Sequence, residues 1–408
     1  MKILILTQYF PPEVGASQNR LYNLAVQLQR KGADVTIMTA MPNYPQMKVH
    51  EAYRKKWYVY EEINGLKVHR CWIYVKTSKS LFPRLMNYFS FVFTSIVTGL
   101  IKLGGFDYIY CDSPPLFLGI SAYILKVVKR ARLIFNVADL WPDSAQKLGL
   151  VTNPFLLNLS RKLEEFLYRR SYLITGQTMG IINNISSRFP DKKIFWLKNG
   201  AVFSENPVSN IHVEGWRMKM GFRKDDFILI YAGIFGHAQG LEVIIQAAAR
   251  LNSYPEIRFI LLGSGPVEEQ LVRSRDEMNL QSTVTILPSV PRNEFLSILA
   301  EADAAIIPLR RLDLFKGAIP SKIFENLLMK KPILLGVEGE AETLFIGEAK
   351  AGLSFIPEDA SDLAEKILQL SNNRQLAALY GENGFNYIRE YFNWDTIAEN
   401  LWALLVEK

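Results

Sequence analysis

The chain reads as an α/β protein of two doubly wound parallel-sheet halves, and three observations carry that reading. Its 408 residues exceed what one ordinary hydrophobic core organises. Short apolar runs alternate with stretches of helical spacing along the whole sequence. The alternation breaks at Asn199-Gly200 and the polar stretch that follows to Asp226, which carries Pro207 and little apolar periodicity. The domains expected are therefore 1–200 and 201–385, with 386–408 forming a helix that crosses back onto the first domain.

In the first half, Lys2 to Thr7 reads as a strand, Gln18 to Arg30 as a helix spaced by Leu21, Leu24, Ala25 and Leu28 and ended at Gly32, and Asp34 to Thr39 as the next strand. That is a βαβ unit. Further strands are expected at Val68 to Ile73, Tyr108 to Cys111, Leu133 to Val137, Leu173 to Thr175 and Ile194 to Leu197. In the second half the strands are Phe227 to Ala232, Ile257 to Leu262, Val284 to Leu287, Ala304 to Pro308 and Ile333 to Gly336. Helices at Leu241 to Leu251, Val267 to Met278, Asn293 to Glu301 and Leu363 to Leu370 separate them or follow, and Trp394 to Val406 is amphipathic. Two Rossmann-like halves place ligands at the carboxyl ends of their strands, so the expected active site is a cleft faced by both.

Composition excludes several classes. Hydrophobic residues make up 49% and charged residues 21%, which describes a globular protein and not a disordered one. The only cysteines are Cys71 and Cys111, and the four histidines lack ligand spacing, so neither a disulfide framework nor a zinc site is expected, and no metal cofactor. The compartment expected is reducing and cytoplasmic. Ile3 to Thr7 is too short for a signal-peptide core and has no small-residue cleavage site.

The net charge of +7 is unevenly spread. Residues 64–106 contain no Asp or Glu, while Lys67, Arg70, Lys76, Lys79, Arg84 and Lys102 are basic. Inside lies the uncharged aromatic run 85–101. A helix lying in the membrane interface against anionic lipid explains segment 63–106. A buried helix and a true span are the alternatives. Nucleic acid is not expected, because no recognition motif accompanies the charge.

The most informative segment is Pro320-Ser321-Lys322-Ile323-Phe324-Glu325, read as a helix opening straight after the strand Ala304 to Ile307. Backbone N–H groups at a helix start suit a phosphate, and Lys322 adds a full charge. Glu325, three residues on, shares its face and can accept hydrogen bonds from a ribose diol. An ordinary helix capped by Ser321 is the competing reading. Gly233-Ile234-Phe235-Gly236-His237-Ala238-Gln239-Gly240 and Gly263-Ser264-Gly265-Pro266 are further strand-to-helix turns at the same sheet edge, and neither is a dinucleotide fingerprint or a P-loop. Arg310, Arg311, Lys316, Lys322 and His237 are the cations available to a leaving diphosphate, since no Asp-x-Asp is present to hold a metal. In the first half, Pro11-Pro12-Glu13-Val14-Gly15-Ala16 brings Gly15 and Arg20 to a helix start. Asp139 and Asp143 follow a strand, where Asp139 can orient an acceptor hydroxyl or serve as a helix cap.

In their order and placement these residues resemble glycosyltransferase family 4, the retaining GT-B enzymes, over essentially the whole chain. More narrowly, Pro42-Asn43-Tyr44-Pro45, Asp139-Leu140-Trp141-Pro142 and Ala238-Gln239-Gly240-Leu241 look like the bacterial N-acetylfucosaminyltransferase-like branch of O-antigen and capsule biosynthesis. The resemblance implies that Glu325 holds the donor ribose and that the turn 233–240 lies against the diphosphate, with Gly15, Gly263, Pro320 and Ser321 completing the donor site. It also implies metal-free transfer with retention to a polyprenyl-diphosphate-linked acceptor bound by Arg20, Asn43, Tyr44, Asp139 and Trp141, at the inner face of the plasma membrane. Two positions depart from the pattern. Gly317 replaces a customary glutamate, and the usual Arg and Lys of the phosphate turn fall near Ile234 and Gln239, which shifts charge onto Lys322, helped by Arg310 or Lys316. A nucleotide-sugar 2-epimerase, or a non-catalytic sugar-nucleotide-binding partner of an assembly complex, would use the same fold.

Overall fold

The computed structural model describes residues 1–13, 15–44, 47–77, 81–147, 151–203 and 215–407. Val14, Pro45, Lys79 and most of the connector that carries Pro207 lie outside the described residues. The chain divides into two compact units, Met1–Asn199 with Trp394–Lys408, and Gly200–Asn393. Residues 386–393 therefore belong with the second unit and the returning segment begins at Trp394.

The first unit is built on eight strands: β1 (Lys2–Leu6), β2 (Asp34–Ala40), β3 (Tyr58–Ile63), β4 (Leu66–Cys71), β5 (Tyr108–Ser113), β6 (Arg132–Val137), β7 (Leu173–Gly176) and β8 (Ile194–Trp196). Their spatial order is β3-β4-β2-β1-β5-β6-β7-β8. All neighbours are parallel except β3, which pairs antiparallel with β4 and corrects the expectation of a purely parallel sheet. Its cause is local. Asn64 and Gly65 both take positive φ, 50° and 80°, which is the two-residue turn that folds a hairpin. The central strands β1 and β5 are buried on both faces apart from Lys2, so they read as unbroken apolar runs and not as alternation. One face packs Leu4, Leu6, Ile109 and Phe135 against the helix Leu118–Lys129. The other packs Ile3, Ile5, Tyr108 and Tyr110 with Trp394, Ile397, Leu401 and Leu405 of the helix Trp394–Val406.

The second unit has six parallel strands: β9 (Phe227–Ala232), β10 (Ile257–Leu262), β11 (Val284–Leu287), β12 (Ala304–Pro308), β13 (Ile333–Gly336) and β14 (Gly352–Ser354), ordered β11-β10-β9-β12-β13-β14. The strand order reverses direction between β9 and β12, and at the equivalent place between β1 and β5 in the first unit. Loops leaving the carboxyl ends at such a reversal diverge to opposite faces and open a crevice for ligand.

The helix Leu81–Lys102 covers the first sheet with Phe91 and Val92 buried. Its opposite face leaves Phe82, Met86, Phe89, Phe93, Val97 and Ile101 exposed at spacings of three and four. Phe82–Lys102 is the one described helix long and apolar enough to cross a membrane by length and composition.

Candidate functional site

The reversal point of the second sheet gathers the residues that the sequence singles out. Gly233 leaves β9 with φ of 139°. A Cβ there would lie 2.8 Å from the Lys322 ammonium, so glycine is what lets the lysine reach the turn. Gly263, at the end of β10, packs against the Gly233 carbonyl, where a Cβ would fall within 1.9 Å. Phe235 then donates its N–H to the Ser264 carbonyl at 2.8 Å, which ties the two turns together. His237–Gln239 form a 3-10 turn, with the Gln239 side chain folded against Gly236 and Gly240 left-handed at φ 59°.

Lys322 reaches into this nest over the ring of Tyr231, its Nζ 5.0 Å from the centroid. Tyr231 is itself fixed, donating its hydroxyl to the Ile234 carbonyl at 2.7 Å. Among the described residues Lys322 has no ion-pair partner, and burial pulls its ammonium down to about 8, against a smaller opposing pull from Glu325. A buried cation without an anion is a costly arrangement that a phosphate relieves. Glu325 lies on the same short helix, Lys322–Leu328, and accepts from Arg292 at 2.8 Å. Arg292, at the start of the helix Arg292–Glu301, carries no motif, so the sequence reading passed over it.

Several expectations are corrected. The helix does not open directly after β12, because a 3-10 turn at Asp313–Gly317 intervenes, and Pro320 and Ser321 precede the first helical residue. Ser321 makes no side-chain cap hydrogen bond, so the capped-helix reading lacks its cap. With seven residues this helix contributes little dipole, and the positive charge of the site rests on the lysine itself. Lys316 is exposed and paired with Asp313 at 2.8 Å. Arg310 lies beside Gly240, but its guanidinium is engaged by the His237 carbonyl, Glu242 and Glu358. Arg311 pairs with Glu338 at 3.1 Å. His237 is exposed and holds Arg310 through its backbone. Of the four candidate lysines and arginines, Lys322 is the one without an ion-pair partner among the described residues.

The first unit's reversal point is built differently. Arg20 forms a buried ion pair with Asp112 at 2.7 Å, so its charge is already matched. Asp112 also accepts from Ser17 and Asn136, and Asn136 accepts from Thr175. Gly15 serves as the extended residue in front of the helix Ala16–Arg30. The buried Glu13 carboxylate accepts the Asn43 and Tyr44 N–H groups at 2.7 and 2.8 Å, which fixes the loop after β2. Burial raises its pKa, and those hydrogen bonds with Arg70 pull it back. Asp139 accepts from Ser144 at 2.8 Å, and burial raises its carboxyl above the ordinary value. Asp143 is held by Arg161 at 3.2 Å, so only Asp139 is left as a positioning candidate. Trp141 packs edge-on against Phe117 at 6.0 Å. Among the described residues no group of three or more His, Cys, Asp or Glu is placed to hold a metal.

Two families match the chain: "Glycosyl transferase 4-like domain" over residues 15–200 and "Glycosyl transferases group 1" over residues 213–387. Together they span far more than half of it. The chain is a glycosyltransferase. The enzyme is 24% identical over 407 residues to the putative colanic acid biosynthesis glycosyl transferase WcaI of Escherichia coli, covering 96% of this chain and 99% of that protein. Its fold is GT-B, as the solved neighbours show. Sucrose-phosphate synthase of Thermosynechococcus elongatus superposes with a TM-score of 0.75 at 15% identity, over 99% of this chain and 98% of that one. Anabaena Alr3699/HepE, solved in complex with UDP and glucose, superposes with a TM-score of 0.71 at 16% identity over 100% of both chains.

Proposed function

We propose that this glycosyltransferase moves a sugar from a nucleoside-diphosphate sugar to a lipid-linked saccharide during assembly of a surface polysaccharide. The observation that carries the donor half is Lys322, a buried ammonium without an anion, held at the Gly233 turn one helical turn from Glu325. In this reading Glu325 accepts hydrogen bonds from the ribose diol and Lys322 neutralises the leaving diphosphate. The bond from the anomeric carbon to the phosphate oxygen breaks while the acceptor oxygen bonds on the same face. The acceptor's proton passes to the departing phosphate, so the step needs neither a protein nucleophile nor a metal. Asp139 positions the acceptor hydroxyl. The name of the Escherichia coli relative supports the polysaccharide setting and the UDP complex of the Anabaena protein supports the donor class. An N-acetylated deoxyhexosamine is the sugar implied by the motifs at 42–45, 139–142 and 238–241.

The same reading places the enzyme on the cytoplasmic face of the plasma membrane. The exposed stripe from Phe82 to Ile101 has basic residues beside it, and residues 64–106 carry no acidic one.

A thermal-shift screen of UDP-, GDP- and dTDP-sugars tests the donor assignment, since a ligand at a hundred times its Kd stabilises by about 2.7 kcal/mol. No shift with any of them would sink it. Liposome flotation tests the membrane assignment, and recovery that is equally low with and without anionic lipid counts against it.

A further inference from the structure

A cavity of about 450 Å³ in the first unit takes no part in the donor site. It is lined by Lys48 and Val49 on one side and by Trp72, Tyr74, Val75 and Lys76 on the other. No acidic residue lines it, and neither lysine has an ion-pair partner among the described residues. Its walls are thus mixed apolar, aromatic and polar surface with two exposed lysines, which suits an anionic group carried on an apolar chain.

Its position narrows the occupant further. The segment after β4 runs along the helix Leu81–Lys102: Thr94 donates to the Trp72 carbonyl at 2.7 Å, Tyr74 donates its N–H to Ser90 at 2.8 Å, and Asn87 donates to the Tyr74 carbonyl at 2.6 Å. The opposite face of that helix is the exposed apolar stripe. On the sheet side, Asn87 accepts from Gln8 at 2.9 Å, and the Lys48 N–H donates to the Asn43 carbonyl at 3.2 Å. The Trp72–Lys76 wall of the cavity is thus tied to the helix Leu81–Lys102, and its Lys48 wall to the loop after β2, where Asn43 and Tyr44 are candidate acceptor residues. Trp72 stacks on Trp57 at 4.9 Å, and Trp57 is 70% exposed, leaving an aromatic exit from the cavity to the surface.

We propose that this cavity binds the diphosphate of a prenyl-diphosphate-linked acceptor, with Lys48 and Lys76 as its charge partners and Trp57 and Trp72 against the first isoprene units. The inference rests on the lipid-linked acceptor reading. It adds a site that the donor chemistry does not require.

The test is co-sedimentation of the full chain with phosphatidylcholine vesicles carrying geranylgeranyl diphosphate, against phosphatidylglycerol vesicles of equal charge. Wild-type protein should bind the diphosphate vesicles about tenfold more tightly, the effect of charge-assisted hydrogen bonds to one anion. The double variant Lys48→Gln/Lys76→Gln should lose that preference and keep its phosphatidylglycerol binding. Equal binding of both vesicles by the wild type, or an undiminished preference in the double variant, overturns the proposal. Acetylation footprinting of the wild type gives a second readout that needs no variant: geranylgeranyl diphosphate should slow labelling of Lys48 and Lys76 but not of Lys219, and equal labelling overturns it. UDP stabilisation, measured on the same preparations, separates failure of this site from failure of the donor assignment.

Discussion

The two sheets reverse their strand order in the same way, yet the crevices at the two reversal points have opposite electrostatic states. In the second unit Lys322 is a buried cation with no anion. In the first, Arg20 and Arg70 are more deeply buried and already hold Asp112 and Glu61. What remains unpartnered there includes one nitrogen of the Arg20 ion pair, Nε, and the buried amide oxygens of Gln8 and Asn43. The polarity of the two amides is settled, because the Asn43 amide nitrogen donates to the Met41 carbonyl and that of Gln8 to Asn87. One topology thus yields an edge whose cation has no ion pair among the described residues and an edge whose cations are already paired, with two amide oxygens left over. The fold locates the crevices, and individual side chains decide what each one takes.

The strongest way to break this comparison is to remove the cation already spent. Arg20→Met strands the Asp112 carboxylate in the first core and should lower unfolding stability by about 3–5 kcal/mol, read from urea denaturation. UDP stabilisation of whatever remains folded should persist. Lys322→Met should do the reverse, costing no stability while weakening UDP by about ten- to a hundredfold in calorimetry, since a buried charge is removed and a charge-assisted contact is lost.

The pH dependence sharpens the same contrast. Bound diphosphate favours charged Lys322, whose ammonium in the free protein titrates at about 8. UDP affinity should be level from neutrality to about that pH and then fall by up to tenfold per unit, because binding must take up a proton. In Lys322→Met that fall should vanish. Glu325→Gln should cost about fivefold in UDP affinity, the loss of charge in one hydrogen bond to the ribose. Smallest of all, EDTA should leave transfer unchanged, as expected where a lysine and not a metal meets the leaving group.

Much of the fold was legible because its signals are local. The apolar runs of β9, β12 and β13 fall where strands were expected, since burial on both faces demands such runs. The hairpin β3-β4 escaped notice although Asn64-Gly65 announces it, because the adjacent Glu61 and Glu62 break the alternation of Tyr58–Ile63 and make it look like solvent-exposed chain. The long helix Arg374–Tyr391 escaped for a related reason: its contacts come from Gly381 and Gly384, and glycine carries no helical signal. At the site, Lys322, Glu325 and Gly233 could be named from motif spacing. Arg292 and Tyr231 could not, since the first meets Glu325 from another helix and the second is an apolar-looking member of a strand. The ion pairs of Arg310 and Arg20 were not legible, because sequence shows a charge but not its partner.

The helix Trp394–Val406 contributes Trp394, Ile397, Leu401 and Leu405 to the core of the first unit, and the Leu405 carbonyl accepts from the Tyr108 hydroxyl at 2.7 Å. A ribosome must therefore make the entire second unit before it makes the piece that closes the first. Residues 1–199 emerge with that apolar face of the sheet covered by the helix Ala16–Arg30 but lacking Trp394, Ile397, Leu401 and Leu405, and must wait in that state while the second unit is synthesised. The unit translated first is the last to be completed, which makes its early, unfinished form the stage of biogenesis most in need of a chaperone.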